Sequence, residues 1–121
     1  MLPKLSVIIP TYNEESALEE NIQKLLPILN SMQRDFGAAA VREWELVLVN
    51  DGSKDKTLEI MQKLAAGEPR IKIVSYLENQ GRGYAMKAGF RAVTGDYVVT
   101  TESDLTWGAE IVRRFVDELS K

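Results

Sequence analysis

The side chains able to do chemistry in this chain are almost all oxygen donors, and they fall in four short polar segments. "PTYNEE" carries Thr11, Tyr12 and Glu14, and "NDGSKD" carries Asp51 and Ser53. "YLENQGRG" carries Asn79 and Arg82, and "TESDLTW" carries Glu102, Ser103 and Asp104. The 121 residues include no histidine and no cysteine. Imidazole bases, thiolate nucleophiles, disulfides and nitrogen- or sulfur-ligated metals are therefore excluded within the chain. A metal held by these segments has only oxygen ligands, which suits a hard ion such as Mg²⁺ or Mn²⁺.

The bulk composition narrows the class. A formal charge of −3 argues against general nucleic-acid binding, and no basic run marks an anionic-membrane patch. No apolar stretch nears the roughly 20 residues that span a bilayer, and no signal peptide is visible. With 45% apolar residues the chain can bury a real core, as one domain over residues 1–121. The absence of cysteine fits a reducing compartment. The expected location is the cytoplasm or, for a longer protein, the cytoplasmic face of a membrane.

The elements that must position the polar segments follow from periodicity. Leu5 to Ile9 reads as a strand ended by Pro10. Leu18, Ile22, Leu25, Leu29, Met32 and Phe36 recur at spacings of 4 and 3, a helical stripe that Gly37 stops and Pro27 kinks or locally opens. Residues 45–49 read as a strand and 55–66 as a helix burying Leu58, Met61, Leu64 and Ala65. Residues 71–76 read as a strand, and 84–93 as a helix with small residues Ala85, Ala88, Gly89 and Ala92 on one side. Residues 96–101 read as a strand and 109–119 as a helix with Ile111, Val112, Phe115, Val116 and Leu119 inside. This β-α-β-α-β-α-β-α order implies an α/β fold with a parallel sheet of about four strands covered on both faces. Ligands of such sheets bind at the carboxyl ends of the strands, where strand order reverses. All four polar segments lie there, which puts Glu14, Asp51, Asn79, Glu102 and Asp104 on one rim.

Each residue also has a plainer reading. Asp51 and Ser53 suit a turn, but Asp55 lies nearer the helix start and is the better cap. That leaves Asp51 without a structural task and favours a ligand role. Glu102-Ser103-Asp104 is either a solvated loop or a carboxylate pair sharing a divalent cation. Gly81 and Gly83 serve either a tight turn or a ligand, and Arg82 is either solvated or placed to meet an anion at a helix start. Glu15 reads as a first-turn acid complementing the helix dipole, whereas Glu14 stays open. Tyr12 and Tyr84 either stack on a base or pack, and Trp107 either covers the acidic loop or seals the last helix.

Taken in order and spacing, "SVIIPTYNEE", "ELVLVNDGSKDKT" and "NQGRGYAMKAGFRAVTGDYVVTTESDLTW" resemble the family 2 glycosyltransferases of the GT-A fold, a three-layer α/β/α Rossmann-like architecture. The similarity is greatest to the branch that transfers sugars from nucleotide-sugars to polyprenyl or dolichyl phosphates. The resemblance implies a nucleotide pocket at Pro10, Thr11, Tyr12 and Glu14, with Asp51 reading the nucleobase edge and Gly81, Arg82 and Gly83 beside the nucleotide. Glu102-Ser103-Asp104 stands in place of the family's DxD motif. Asp104 and Glu102 would then hold Mg²⁺ or Mn²⁺ on the diphosphate, with Ser103 among the nucleotide contacts. Glu102 departs from the motif by one extra methylene, and Asn50 stands where many members have an aspartate. The implied reaction is an inverting sugar transfer from a UDP- or GDP-sugar.

Relatives of this kind continue past the DxD segment, so the chain is expected to be the nucleotide-binding half, with the catalytic base beyond residue 121. It is expected to bind donor better than it turns it over. The strand "DYVVTT" would then leave an open apolar edge and favour a homodimer. A non-catalytic nucleotide-binding or assembly module is the alternative. A sugar-phosphate nucleotidyltransferase is disfavoured, because the loop after the first strand is acidic and lacks glycine.

Overall fold

A computed structural model describes residues 2–35, 37–104 and 108–121. Four strands, β1 (Lys4–Thr11), β2 (Glu43–Asp51), β3 (Ile71–Tyr76) and β4 (Tyr97–Thr100), alternate with four helices, α1 (Leu18–Arg34), α2 (Thr57–Gly67), α3 (Arg82–Phe90) and α4 (Ile111–Leu119). The strands form one parallel sheet in the order β3-β2-β1-β4. The chain thus winds outward from β1 to β3 and then crosses back to place β4 on the other side of β1.

The two faces of the sheet are covered unequally. Leu5, Val7 and Ile9 of β1, with Leu46 and Leu48 of β2, meet α1, α2 and α4 in the larger core. The α1 stripe Leu18, Ile22, Leu25, Leu29 and Met32 is wholly buried there. Phe36 and Trp107 lie outside the described residues. On the opposite face Ile8, Val47 and Val49 meet α3 and the segment after it, with Ala92 and Val93. That helix lies close because it presents small residues: a Cβ on Gly89 would fall 2.5 Å from Ile8 Cγ2. The expected three layers are therefore present.

The boundaries shift where local chemistry competes with pattern. Pro10 lies inside β1, opposite Val49 of β2, rather than ending the strand. Pairing between β1 and β4 stops at Ile8 and Thr100, so the missing N–H of Pro10 falls past the end of β4 and breaks no ladder bond. Pro27 lies within α1, which ends at Arg34, before the expected stop. Helix α3 starts at Arg82, not Tyr84, because Gly81 at φ 95° sets the chain into the helix. Leu58 and Ala65 are only half-buried, and Phe115 and Leu119, expected inside, are exposed on α4; Thr57 is the fully buried residue at the start of α2.

Candidate functional site

The carboxyl ends of the strands converge on a cleft of about 290 Å³. It sits where strand order reverses between β1 and β4, the place where such sheets bind ligands. From β1 and the loop after it the cleft is lined by Pro10, Thr11, Tyr12 and Glu14, and from β2 by Asp51. The β3–α3 connection adds Asn79 and Gly81, the start of α3 adds Arg82 and Ala85, and the segment after β4 adds Thr101, Glu102 and Ser103. Every expected site residue lines the cleft except two. Gly83 lies exposed in the first turn of α3, and Asp104 lies exposed immediately after Ser103.

Two of the polar loops interlock beside the cleft, behind Glu14. The Asn13 N–H donates to Ser53 Oγ (2.9 Å), and the Lys54 N–H donates to Asn13 Oδ1 (2.8 Å). The Glu14 N–H donates to Thr57 Oγ1 (2.9 Å), whose own hydroxyl donates to Asp55 Oδ1 (2.5 Å). Asp55 also accepts the N–H of Thr57 (2.9 Å), satisfying an orphan donor at the start of α2 as a cap does. The acidic segment is anchored from α1, where Asn21 Nδ2 donates to the Ser103 carbonyl (3.0 Å).

Asp51 does have a structural task, contrary to the sequence reading. Its buried carboxylate accepts four hydrogen bonds from the chain itself. Oδ1 receives the Tyr76 hydroxyl (2.6 Å) and the Gln80 N–H (2.9 Å). Oδ2 receives Asn79 Nδ2 (2.9 Å) and the Gly81 N–H (3.1 Å). The donors come from β3 and the loop after it, which closes over Gly52; a Cβ there would sit 2.2 Å from the Asn79 nitrogen. Burial, then the bond to Asp51, pushes the Tyr76 phenol well above its ordinary pKa. Tyr84 packs edge-on against Tyr76, ring centres 5.1 Å apart, so it packs on protein.

The charges around the cleft are mostly negative. Arg82 Nη2 lies 2.5 Å from Glu102 Oε1, and both side chains are well exposed. Such a pair contributes about 0–1 kcal/mol, so a ligand can part it at small cost. Glu14 is pushed above the usual carboxylate range by burial, then by the charges of Asp104 and Asp55. Among the described residues no three acidic or imidazole side chains form a ready-made cation cage. The donor set of Glu102 and Asp104, with Glu14 under the influence of Asp104, still suits a hard cation that completes its shell with ligand phosphate and water.

Sequence reasoning omitted Ala85 and Thr101 from the lining, and it placed Asn79 on the rim without a task. It also missed the supports Tyr76, Gly52 and Asn21. The "DG" pair in "NDGS" was the available signal for Gly52, since such pairs demand positive φ.

Comparison with known proteins accords with this geometry. The profile of glycosyl transferase family 2 matches residues 6–121. An undecaprenyl-phosphate 4-deoxy-4-formamido-L-arabinose transferase of Edwardsiella ictaluri is 36% identical over 93% of this chain and 33% of its own length. Among solved structures, the mannosyltransferase PcManGT from Pyrobaculum calidifontis, in complex with GDP-Man and Mn²⁺, superposes with a TM-score of 0.76. It is 27% identical, over 100% of this chain and 33% of that one. Glucosyl-3-phosphoglycerate synthase from Mycobacterium tuberculosis, with Mn²⁺, UDP and phosphoglyceric acid, gives 0.73 at 26% identity, over 98% and 39%. The chain spans about a third of the length of the curated relatives it matches. With a family match over almost its whole length and the GT-A arrangement of sheet and cleft, the chain belongs to glycosyltransferase family 2.

Proposed function

We propose that residues 1–121 form the donor-binding domain of an inverting glycosyltransferase that takes a sugar from a UDP- or GDP-sugar. The observation that carries this reading is the single cleft into which the four polar strand ends bring Thr11, Glu14, Asp51, Arg82, Glu102 and Ser103. Relatives complexed with GDP-Man or UDP, each with Mn²⁺, support the donor class and leave the base open between guanine and uracil.

The cleft fits a nucleoside diphosphate only together with a cation. Its charged lining is three carboxylates against one guanidinium, so a diphosphate alone meets a repulsive field. Asp104 and Glu102 would hold the Mg²⁺ or Mn²⁺, which supplies Lewis-acid stabilisation to the diphosphate leaving group when bound. Arg82, at the start of α3, can leave Glu102 and pair with a phosphate oxygen. Tyr12, 44% exposed at the mouth, offers a face to the base, and Pro10 and Ala85 exclude water from the floor. Gly83 acts by keeping the first turn of α3 bare.

For the acceptor we infer a polyprenyl phosphate, the class named for the relative from Edwardsiella. A phosphate acceptor is already an anion and needs little help from a base at the attacking oxygen. Among the described residues no helix is long and apolar enough to cross a membrane; a lipid-linked acceptor would bring the longer protein to a cytoplasmic membrane face. Among the described residues β4 is an edge strand, and it is the surface by which copies of this chain would associate. A purely non-catalytic nucleotide-binding module remains the second reading, favoured by the extra methylene of Glu102.

Calorimetric titration of UDP and GDP, with Mn²⁺ and with chelator, tests the proposal in the wild type and in Asp104→Ala. Metal-dependent binding of one nucleotide, lost in the variant, is the expected result. A folded chain that binds neither nucleotide overturns the reading for this domain.

A further inference from the structure

The outer face of α3 carries side chains that the packing of the helix does not use. Ala85 and Gly89 are buried against the sheet, and at about 100° per residue the opposite face holds Lys87, Phe90 and Arg91. Phe90 is 48% exposed. Lys87 and Arg91 are exposed beside it, and neither forms an ion pair among the described residues. Residues 79–95 contain three cations, Arg82, Lys87 and Arg91, and no acid, in a chain whose formal charge is −3. These cations make no basic run in the sequence, but the helix sets Lys87 and Arg91 one turn apart with Phe90 between them. Basic residues at a helix end also complement its dipole. That reading gives no reason for a half-exposed phenyl ring between the two charges.

We propose that the outer face of α3 is a contact for an anionic lipid surface, with Lys87 and Arg91 on the headgroup phosphates and Phe90 at the boundary between headgroups and acyl chains. Cations beside an exposed aromatic ring on one helix face suit such an interface. The acidity of the rest of the chain repels the same surface in other orientations. Between Tyr84 and Thr94 the face offers no side-chain amide or hydroxyl with which to read a nucleic acid or an acidic protein, which favours lipid. Two cations and one ring make a contact that orients the domain, not an anchor that holds it. Arg82 and Ala85 of the same helix line the cleft, so the contact would hold the cleft within a helix length, about 14 Å, of the headgroups. Lys87, Phe90 and Arg91 do not line the cleft, and the proposal stands apart from the donor reading.

The chain has no cysteine, so Phe90→Cys carrying an apolar, environment-sensitive fluorophore reports on this face alone. Glu59→Cys, exposed on α2 across the sheet, is the control position. The probes are phosphatidylcholine vesicles with and without phosphatidylglycerol. The label at position 90 should brighten and shift to the blue on the anionic vesicles and not on the neutral ones, and added salt should reverse the change. The label at position 59 should respond to neither. Co-sedimentation of unlabelled chain measures the cations: each is worth roughly fivefold in affinity for an anionic bilayer, so Lys87→Gln combined with Arg91→Gln should bind roughly tenfold more weakly or worse. All three side chains are exposed, so the variants should keep the wild-type circular dichroism, and the two labelled chains test the face without altering either cation. No response at position 90, equal responses at both positions, or unchanged sedimentation of a folded double variant would each overturn the proposal. A chain that ignores the vesicles but binds an oligonucleotide or polyglutamate through Lys87 and Arg91 overturns it too, and makes the face a site for a soluble polyanion.

Discussion

Replacing Glu45 by glutamine should flatten the acid dependence of stability. Glu45 lies at the amino end of β2, remote from the cleft, and is 3% exposed. Its Oε2 accepts the Ser6 hydroxyl and the Thr94 N–H, each at 2.6 Å, and its Oε1 lies 2.6 Å from Lys72 Nζ. Burial would raise its pKa, but the bonds from Lys72, Ser6 and Thr94 more than offset burial and hold it at about 2, against an ordinary 4.5. The folded-state pKa is the lower one, so the folded chain keeps the charge that the unfolded chain gives up first. The stabilisation is full above pH 4.5 and is lost as pH falls toward 2. At roughly 1.4 kcal/mol per unit the shift corresponds to about 3 kcal/mol at neutral pH, of which about 2 kcal/mol should be gone by pH 3. Urea denaturation of the wild type and Glu45→Gln at pH 7 and pH 3 measures this. The variant should be less stable at pH 7 and should lose about 2 kcal/mol less on acidification. Equal losses in the two proteins would refute the assignment of this acid sensitivity to Glu45.

Two further outcomes follow from packing. Gly52→Ala puts a Cβ 2.2 Å from the Asn79 nitrogen at a φ of 66°, so the loop over it must move. The left-handed backbone costs roughly 1–2 kcal/mol, and each charge-assisted bond to Asp51 that opens costs about 1.5–3 kcal/mol. Chemical denaturation should show a loss of about 3 kcal/mol or more, and a change below about 1 kcal/mol would contradict the close crossing. At β4, an edge strand among the described residues, β4 and α4 bound an apolar groove of about 420 Å³ lined by Val98, Phe115 and Leu119, the last two 42% and 50% exposed. Light scattering over a concentration series should show self-association that Leu119→Lys weakens, whereas a monomer at the highest concentration would exclude it.

Most of the fold was legible because its main signals are local. The spacings of 4 and 3 in α1 reflect a helix with one face against a sheet, and all five described members of that stripe are fully buried. The rim was legible because strand ends of an alternating α/β chain must fall on one edge. The role of Asp51 was not, because its donors sit 25 to 30 residues away and meet it only when β3 pairs beside β2. Leu58 looked like core by helical phase. The start of α2 is instead governed by Thr57, whose hydroxyl is shared between Asp55 and the Glu14 N–H. Pro10 looked like a strand end because a sequence cannot show that β4 stops short of it.

Under the proposed function, the same accounting of partners makes the acidic cleft depend on a cation. Asp51 is held by four uncharged donors of the chain itself, and Glu102 is paired with Arg82. Glu14 is already held above its ordinary pKa by burial and by its acidic neighbours. If a diphosphate draws Arg82 away from Glu102, the carboxylates of Glu14, Glu102 and Asp104 and the incoming phosphates share one region of negative potential. Electrostatics then ties the two ligands together: nucleotide strengthens cation binding, and cation strengthens nucleotide binding by the same factor. A cleft with a surplus of lysine or arginine would bind the diphosphate without metal and would hold it after transfer. On the proposed function, the lone guanidinium that Arg82 gives the described lining would leave most of that attraction to an exchangeable ion, and release of the nucleoside diphosphate would follow release of the cation.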